Sequence, residues 1–384
     1  MLSFVESLSL VDHHCHGVSR AELDRPGFES MLNEAPWPGG STTRAFGTTL
    51  FDSQIGLAVR RWCGPVVDLP RHAEADDYLA RRAELGPSEV IERFLRRAGL
   101  AALCVDTGFE PDQMLSSSEL GAAADAPVYE IVRLERVAEE VVTERAGADG
   151  DAAAGFAAAV LARLTERADT AVAVKSVAAY RVGLALADRR PDDAEVARAA
   201  DRWLSLVDNG APVRLVDEVL HRFLVFAGVD LGLPVQFHVG YGDRDLDLHR
   251  CNPLLLTDLL RTIEPTGVPV MLLHNYPYHR EAGYLAQVFS NVFVDIGLAL
   301  HNVGRRASAV LAEALELTPF GKFLYSSDAF GLPELHYLGA VLFRRALSDV
   351  LEEGLAEDAW TEADARRLAH LVGHQNARRA YRLP

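Results

Sequence analysis

The sequence predicts an α/β fold, a (β/α)8 TIM barrel with a helical insertion between strands 1 and 2. Two observations carry this prediction. Short apolar runs of strand length recur along the 384 residues, and amphipathic stretches rich in Ala, Leu, Arg and Glu separate them. Alternating strands and helices are typical of a parallel sheet, and eight such units favour a closed barrel with its active site at the carboxyl ends of the strands.

The predicted strands are apolar runs that end at polar or turn-forming residues. They span residues 8–12, 100–106, 128–134, 171–174, 233–238, 268–274, 292–296 and 323–327. Helical patterns fill most of the gaps between them and are clearest at 152–168 and 193–207. Most successive strands are therefore joined by a helical crossover, as a parallel sheet requires.

The gap between the first and second strands is much longer than the others. We predict a helical insertion at about residues 20–98, with helical segments around 53–62 and 89–97. An insertion there lies over the barrel mouth, where it either closes on a substrate or forms a structural or oligomer contact. No low-complexity linker interrupts the chain, so we expect one domain over residues 1–384, with a second independent domain as the alternative.

The composition argues against several classes of protein. Lys and Arg total 38 against 55 Asp and Glu, and the resulting net charge of −17 repels nucleic acid and anionic lipid. No membrane span and no signal peptide are visible, so we expect a cytoplasmic protein. The cysteines, which form no CxxC pair, are expected to be reduced and mostly buried: Cys15, Cys63, Cys104 and Cys251.

The first strand leads into Asp-His-His-Cys-His, which is a candidate half of a metal site. Side chains two apart in a strand share a face, so we expect Asp12, His14 and His16 on one face and His13 and Cys15 on the other. Two neutral imidazoles at this spacing can reach one Zn²⁺ ion. An HxH pattern alone is weak evidence, because surface and core histidines are common.

Polar residues at the ends of other predicted strands complete the pattern. Lys175 follows the fourth strand, His238 the fifth, His274 the sixth and Asp328 the eighth. Each one alone is best explained as a hydrogen-bonded residue at a strand end. Together they bring metal-competent or titratable groups to the barrel end where catalytic residues gather, which indicates a metal site.

The ordered set of HxH, Lys, His, His and Asp on strands one, four, five, six and eight resembles the amidohydrolase superfamily, and within it the amidohydrolase family 2 branch. Lys-Ser-Val-Ala-Ala-Tyr-Arg at 175–181 and Asn-Ala-Arg-Arg-Ala-Tyr at 376–381 are similar to parts of that branch. The first stretch is also similar to the amidohydrolase-like region fused to glutamine synthetase in some proteins. The resemblance spans nearly the whole chain and is weakest in the insertion.

The resemblance implies a role for each strand-end residue. His14, His16, His238 and Asp328 would bind a divalent metal, and His274 would bind a second metal or act beside the first. We expect Zn²⁺, as one or two ions, although such ligands also accept Mn²⁺, Fe²⁺, Co²⁺ or Ni²⁺. Asp328 would also serve as the general base, with His274 as a second catalytic group.

The role of Lys175 stays open at this point. The resemblance allows a carboxylated lysine that bridges two metals, because one branch of the superfamily has one. The alternatives are an unmodified amine that binds a substrate carboxylate and a salt-bridged structural residue. A free ammonium cannot bind a metal unless its surroundings deprotonate it.

Three residues in βα-loops are candidate substrate-binding residues. Arg181 can hold a carboxylate through two hydrogen bonds, although a rim salt bridge explains it equally well. Tyr180 beside it, and Tyr241 in the Gly-rich turn after the fifth strand, either line the pocket or pack. Four histidines are expected not to be ligands: His13, His301, His336 and His374.

Residues near the ends of the remaining strands have supporting roles in this interpretation. Asp106 and Asp295 end the second and seventh strands, where we expect them to hydrogen-bond to the ligands. Arg133 and Glu135 lie near the end of the third strand, where a structural ion pair is the simpler explanation and a place in the pocket is the alternative.

These residues favour a metal-dependent hydrolase that attacks a C–N or amide-type bond of a small, carboxylate-bearing molecule with a metal-activated water. The alternative in the same superfamily is a metal-dependent, non-oxidative decarboxylase. A third hypothesis is a non-catalytic barrel for binding or assembly, and phosphotriester or lactone hydrolysis also uses such sites. We expect a small-molecule substrate, no nucleic acid or membrane partner, and a homo-oligomer.

Overall fold

Parallel strands in chain order form the centre of the molecule. The computed structural model describes residues 2–32, 48–109, 114–145 and 155–384. Within these residues the strands form one seven-stranded parallel sheet, in which each strand pairs with the next one along the chain. They are β1 (Leu10–Cys15), β2 (Leu100–Asp106), β3 (Val128–Arg133), β4 (Ala171–Ser176), β5 (Val235–Val239), β6 (Val270–His274) and β7 (Val292–Val294).

Helices follow the strands and pack against the sheet. They are α1 (Ser3–Glu6), α2 (Arg25–Ser30), α3 (Gln54–Ala58), α4 (Ala75–Leu85), α5 (Pro87–Ala98), α6 (Ser117–Ala124), α7 (Leu134–Arg145), α8 (Phe156–Ala168), α9 (Asp193–Asp208), α10 (Glu218–Asp230), α11 (Thr257–Ile263), α12 (His279–Val288), α13 (Gly297–Val303), α14 (Ala307–Ala314), α15 (Pro333–Ala356), α16 (Glu362–His370) and α17 (Asn376–Tyr381). No helix among the described residues is long and apolar enough to cross a membrane.

The predicted eighth strand, residues 323–327, is not a regular strand. It forms one isolated bridge to β7, and the Leu324 amide donates to the Val294 carbonyl at 3.0 Å. On its other side the His13 amide donates to Tyr325, and the Asp328 amide donates to His14. This bridging segment (residues 323–328) therefore connects the two edge strands of a curled, TIM-barrel-like sheet.

An irregularity in β1 changes the faces of its side chains. The pairing of β1 with β2 shifts between Asp12 and Cys15, so the strict alternation expected from the sequence fails there. His14 remains on the candidate metal side. Asp12 instead accepts hydrogen bonds from the Ser327 amide and hydroxyl. The prediction that Asp12 shares a face with His14 and His16 is therefore wrong.

The chain between β1 and β2 contains helices α2 to α5, and residues 33–47 of this stretch lie outside the described residues. Helix α5 begins at a proline and ends at Gly99, whose φ of 62° lets the chain turn directly into β2. A buried ion pair ties this stretch to α15, because Arg82 Nε donates to Glu334 Oε1 at 2.8 Å. The Tyr78 hydroxyl donates to the same carboxylate oxygen at 2.9 Å.

A buried cluster lies inside the curled sheet. It takes residues from six of the strands and from α17: Val11, Ala102, Cys104, Ile131, Ala173, Met271, Leu273, Phe293, Leu324, Ala377, Ala380 and Tyr381. A larger apolar cluster lies between the sheet and the surrounding helices. The sheet is therefore apolar on both faces, as parallel sheets usually are, and polar groups meet at its strand ends.

Candidate metal centre

Five of the predicted site residues converge at one edge of the sheet. His14 lies in β1 and His16 directly follows it, His238 lies in β5, and His274 ends β6. Asp328 ends the bridging segment. All five residues are at least nine-tenths buried. The structure thus brings together side chains that are up to 314 positions apart in the sequence, counted from His14 to Asp328.

Asp328 has close contacts with three of the imidazoles. Its Oδ1 lies 3.2 Å from His14 Nε2 and 3.5 Å from His16 Nε2, and its Oδ2 lies 3.4 Å from His274 Nδ1. The His238 and His274 rings are 4.7 Å apart between centroids. The ligand atoms of His14, His274 and Asp328 all lie within 4.8 Å of one another, close enough to share one cation.

Unpaired polar atoms in this cluster fit a bound cation. Among the described residues, His238 Nε2, both ring nitrogens of His274 and Asp328 Oδ1 are buried and have no hydrogen-bond partner. Leaving such groups unsatisfied in the interior costs about 1–3 kcal/mol each. Imidazole and carboxylate donors bind Zn²⁺ and similar ions, so the donor set fits a divalent cation.

The backbone aims two of these side chains through uncommon conformations. His274 has φ 68° and Asp328 has φ 51°, both in the left-handed region. Asp295 Oδ1 supports the first by accepting hydrogen bonds from the amides of His274 and Gly297 at 2.9 and 2.7 Å. His13 Nε2 is 2.9 Å from Asp295 Oδ2, so its ring contacts the carboxylate that supports His274.

Burial and neighbouring charges keep the candidate ligands in their metal-binding forms. Burial, with Lys175 nearby, holds the pKa of His14 well below its usual value. Burial lowers the pKa of His274 to about 4 and that of His238 well below its usual value. Burial favours protonated Asp328, but the neighbouring His274, His14 and His16 outweigh it and hold its pKa well below the usual value. His14, His238 and His274 are therefore neutral and Asp328 is ionised at pH 7.

Lys175 lies beside the centre in contact with both a histidine and a carboxylate. Its Nζ is 2.8 Å from His14 Nε2 and 3.4 Å from Asp106 Oδ2. Asp106 also accepts hydrogen bonds from Arg133 Nη2 and Nε at 2.6 and 3.0 Å. Burial lowers the pKa of Lys175, and the Asp106 carboxylate opposes that shift. The amine is thus part of a buried Lys–Asp–Arg chain.

Asp106 comes closer to the centre than the sequence indicated. Its carboxylate and the rings of His14 and His16 form a second group whose ligand atoms lie within 4.8 Å of one another. The strand-end position was visible in the sequence, but its closeness to the HxH pattern follows from the pairing of β1 with β2.

A cavity of about 150 Å³ opens over these residues. Two aromatic rings cover one side of it, since Phe109 and Phe330 lie 5.9 and 6.1 Å from the His16 ring. Three arginines and two aspartates bring charges to the lining: Arg133, Arg181, Arg214, Asp243 and Asp245. The cavity therefore combines an apolar wall with a cationic one.

Arg181 lines this cavity and is poorly neutralised. Its Nε is buried without a hydrogen-bond partner among the described residues, and its closest carboxylate, that of Glu139, is 3.8 Å away. Burial and the neighbouring Arg214 lower the pKa of Arg181. Tyr180 also lines the cavity, with its ring 4.5 Å from that of His238. Both predicted residues thus lie beside the centre.

Tyr241 does not line this cavity. Its hydroxyl donates to the Leu298 carbonyl at 3.1 Å, and its side chain lines a second cavity with Tyr276 and His279. The position of Tyr241 in a turn next to β5 suggested the pocket, but the turn directs the ring elsewhere. Sequence reasoning gave no role to Phe109, Phe330 or Arg214, which do line the cavity and which lie outside any strand-end pattern.

Comparison with known proteins agrees with this geometry. The sequence model of the family described as amidohydrolase matches residues 121–383. Protein fluG of Emericella nidulans is 27% identical over 423 residues, which cover 99% of this chain and 46% of fluG. The chain therefore spans about half the length of that curated relative.

Solved structures resemble the whole chain. A protein described as a metal-dependent hydrolase from Lactobacillus casei is 30% identical, with a TM-score of 0.81 over 99% of this chain and 96% of that one. Uronate isomerase from Thermotoga maritima is 15% identical, with a TM-score of 0.63 over 98% and 96% of the two chains. Glucuronate isomerase from Caulobacter crescentus is 16% identical, with a TM-score of 0.60 over 99% and 92%. The two isomerases share the fold, and the family match shows that this chain belongs to the amidohydrolase family.

Proposed function

We propose that this protein is a metal-dependent hydrolase that cleaves a C–N or amide-type bond in a small, carboxylate-bearing molecule. The observation that carries the proposal is the cluster of unpaired imidazole nitrogens around the Asp328 carboxylate, at the floor of a cavity with a cationic wall. The family and the 30% identical relative described as a metal-dependent hydrolase support it.

His14, His16, His238 and Asp328 would hold the metal, with His274 as a further ligand or a catalytic group beside it. A divalent cation held there, most consistent with Zn²⁺, would polarise a carbonyl and would make a water nucleophilic at neutral pH. The depressed pKa values of His14 and His238 keep their nitrogens available as ligands. These residues thus need no proton release before they bind the ion.

Asp328 is suited to move the proton. Its carboxylate is ionised, and its two oxygens lie 3.2–3.5 Å from three imidazoles, so it would both help to hold the metal and accept a proton at this centre. The same carboxyl can then donate the proton to the leaving amine.

Arg181 supports the assignment of a carboxylate-bearing substrate. A buried guanidinium with an unpaired Nε and no closely paired acid is stabilised by an anion that enters the cavity. Tyr180 lines the same cavity as Arg181, and its ring lies 4.5 Å from that of His238. A substrate that spans Arg181 and His238 would have its scissile carbonyl at the metal and its carboxylate at Arg181.

Reconstitution with metal tests this function. The protein is stripped with a chelator, reloaded with Zn²⁺ and assayed against N-acetyl amino acids and against their neutral methylamides. We expect metal-dependent release of the amine from the acids and much slower release from the methylamides. Absence of amine or ammonia from every compound, with the metal fully loaded, would contradict the proposal.

The substrate carboxylate can be tested at Arg181. We expect Arg181→Lys to raise KM for a carboxylate substrate by about tenfold, the loss of roughly 1.5 kcal/mol for a charge-assisted hydrogen bond, with little change in kcat. Arg202→Lys, at an exposed position of α9, is the matched control. Equal KM values for the two variants would contradict the role of Arg181.

A second candidate function is a non-oxidative decarboxylase. One observation favours it: Lys175 Nζ lies beside the Asp106 carboxylate, a contact that suits a cationic amine and disfavours an anionic carboxylated lysine. A single metal beside a free amine can orient a carboxylate substrate for loss of carbon dioxide. Carbon dioxide released from a panel of carboxylic acids without any amine would favour this candidate over the hydrolase.

A further inference from the structure

Three buried side chains outside the candidate metal centre form a second cluster. Asp12 and Cys15 belong to β1, and His336 lies near the start of α15. Their ligand atoms lie within 4.8 Å of one another, and all three residues are fully buried. The irregularity of β1 explains why Asp12 and Cys15, which regular alternation would separate, reach the same place.

His336 has no hydrogen bond at either end of its ring. Both ring nitrogens are buried without a partner among the described residues, and Nδ1 lies 3.9 Å from Asp12 Oδ2. Buried polar groups are nearly always satisfied by protein, by water or by an ion. An imidazole that has a carboxylate and a thiol nearby, but no hydrogen-bond partner, is suited to bind a cation.

Asp12 lacks a cationic partner in the described part of the chain. Its carboxylate accepts hydrogen bonds from the Ser327 amide at 2.9 Å and from the Ser327 hydroxyl at 2.5 Å. Its one contact at ion-pair distance there is with His336. A carboxylate without a counter-charge is costly to bury in its ionised form, and a cation bound in the cluster would supply the missing charge.

We propose that Asp12, Cys15 and His336 bind a divalent cation at a second site, distinct from the candidate centre at Asp328. Zn²⁺ fits best, because thiolate and imidazole are donors that Mg²⁺ and Ca²⁺ avoid. A carboxylate and a thiolate together neutralise the dication, and the thiol proton is released to solvent when the ion binds. The Ser327 hydroxyl, beside Asp12, is a candidate fourth donor.

The ion would connect two elements that shape the neighbouring centre. Cys15 lies between His14 and His16, and His336 lies in the helix that begins five residues after Asp328. A cation at the second site would cross-link β1 to α15 and would therefore stabilise the fold without contacting a substrate. The role of this second site is structural, so its existence can be tested independently of the proposed reaction.

X-ray absorption at the zinc edge tests the site in the intact protein. The apo protein is titrated with Zn²⁺ alone until binding saturates. We expect a zinc–sulfur distance of about 2.3 Å, because the candidate centre provides nitrogen and oxygen donors and only the second site provides sulfur. His238→Asn, in the candidate centre, should keep this signal.

Cys15→Ser should lose the zinc–sulfur signal and bind one zinc ion fewer per chain than the wild type. His336→Gln should also bind one ion fewer. Cys104→Ser, which replaces a second fully buried cysteine, is the matched control and should change neither value. A saturated wild-type protein without sulfur scattering would overturn the proposal, and so would an unchanged signal in Cys15→Ser. The wild-type spectrum decides even where a variant fails to fold.

Discussion

At the scale of single residues, Asp328 combines an uncommon backbone conformation with an uncommon electrostatic environment. Aspartate is one of the few residue types that tolerate the left-handed region, so its φ of 51° is compatible with a carboxylate there. The imidazoles around it hold its pKa well below the usual range despite its burial. The residue is thus positioned and ionised before any substrate arrives.

Asp328→Asn tests this role because asparagine keeps the shape and removes the charge. We expect kcat for the metal-loaded enzyme to fall by about 10²–10⁴-fold, the usual contribution of a positioned general base. The measurement is steady-state turnover at equal metal content. Asp169→Asn, at an exposed position after α8, should leave kcat unchanged. Equal turnover of wild type and Asp328→Asn would contradict the assignment.

The depressed histidine pKa values predict the pH dependence of the apo protein's stability. Below pH 6.5 the unfolded chain gains protons at His14, His238 and His274, and the folded chain does not. We therefore expect the free energy of unfolding to fall as the pH decreases from about 6.5 to about 4. His274 alone would contribute about 3 kcal/mol to this loss.

Urea unfolding of the apo protein at a series of pH values measures this loss. His274→Asn should flatten the slope between pH 6.5 and 4, because asparagine does not titrate. A slope that is the same in the variant and the wild type would show that His274 titrates alike in the folded and unfolded chains.

The residues that surround the candidate ligands were harder to predict from the sequence than the candidate ligands themselves. Strand-end positions identify His238 and His274, because each follows an apolar run. Arg214 lies in the loop between α9 and α10, and its place in the cavity depends on how those helices pack. Local periodicity carries no information of that kind, which is why Tyr241 was expected in the pocket and Arg214 was not.

At the scale of elements, the end of β6 depends on a network that reaches the last helix. Asp295 accepts the His274 amide, and its other oxygen lies beside His13. His13 Nδ1 is 2.8 Å from the Tyr381 hydroxyl of α17, which also accepts from Gln236. Burial disfavours the ionised form of Asp295, but His13 outweighs it and lowers the pKa to about 2.

Removal of the Asp295 side chain should weaken metal binding, although Asp295 is not itself a candidate ligand. We expect Asp295→Ala to weaken Zn²⁺ binding by about 10–100-fold, the range seen when partners that orient metal ligands are lost. Competition with a chromophoric chelator measures the affinity. Asp295→Asn keeps an oxygen for the His274 amide and should lose less. An affinity equal to wild type in Asp295→Ala would refute the positioning role.

Element boundaries followed from the sequence where hydrogen bonding is regular. The predicted strand 100–106 coincides with β2, and the parallel order is confirmed. The first strand was predicted two residues early, at 8–12 instead of Leu10–Cys15, since apolar residues precede its polar end. The irregularity in β1 and the single bridge of residues 323–327 depend on pairing with distant residues, which periodicity cannot indicate.

At the scale of the whole molecule, the pair of Arg82 and Glu334 connects the chain between β1 and β2 to the rest. Both side chains are buried, so neither charge can be satisfied by solvent if the other is removed. Loss of one partner of a buried ion pair usually costs about 3–5 kcal/mol. Tyr78 adds a hydrogen bond to the same carboxylate.

We expect Glu334→Gln to lower the free energy of unfolding by about 3 kcal/mol, because Arg82 stays buried without a counter-charge. Urea denaturation measures the change. Glu316→Gln removes one partner of an exposed ion pair with Arg280 and should leave stability nearly unchanged. Similar urea midpoints of unfolding for the two variants would show that the buried pair does not stabilise the packing of the helices between β1 and β2.

The bridging segment (residues 323–328) is expected to undergo local opening. Its few backbone hydrogen bonds, to Val294 on one side and to β1 on the other, should open more often than those of β2. Asp328 leaves the ligand set whenever the segment opens, so an ion that binds only the closed form must slow deuterium uptake there. In mass spectrometry we expect the amides of Leu324 and Asp328 to exchange faster than those of β2 in the apo protein and to become protected on addition of Zn²⁺. If Zn²⁺ did not change the deuterium uptake of these amides, binding of the ion would not depend on closure of this segment.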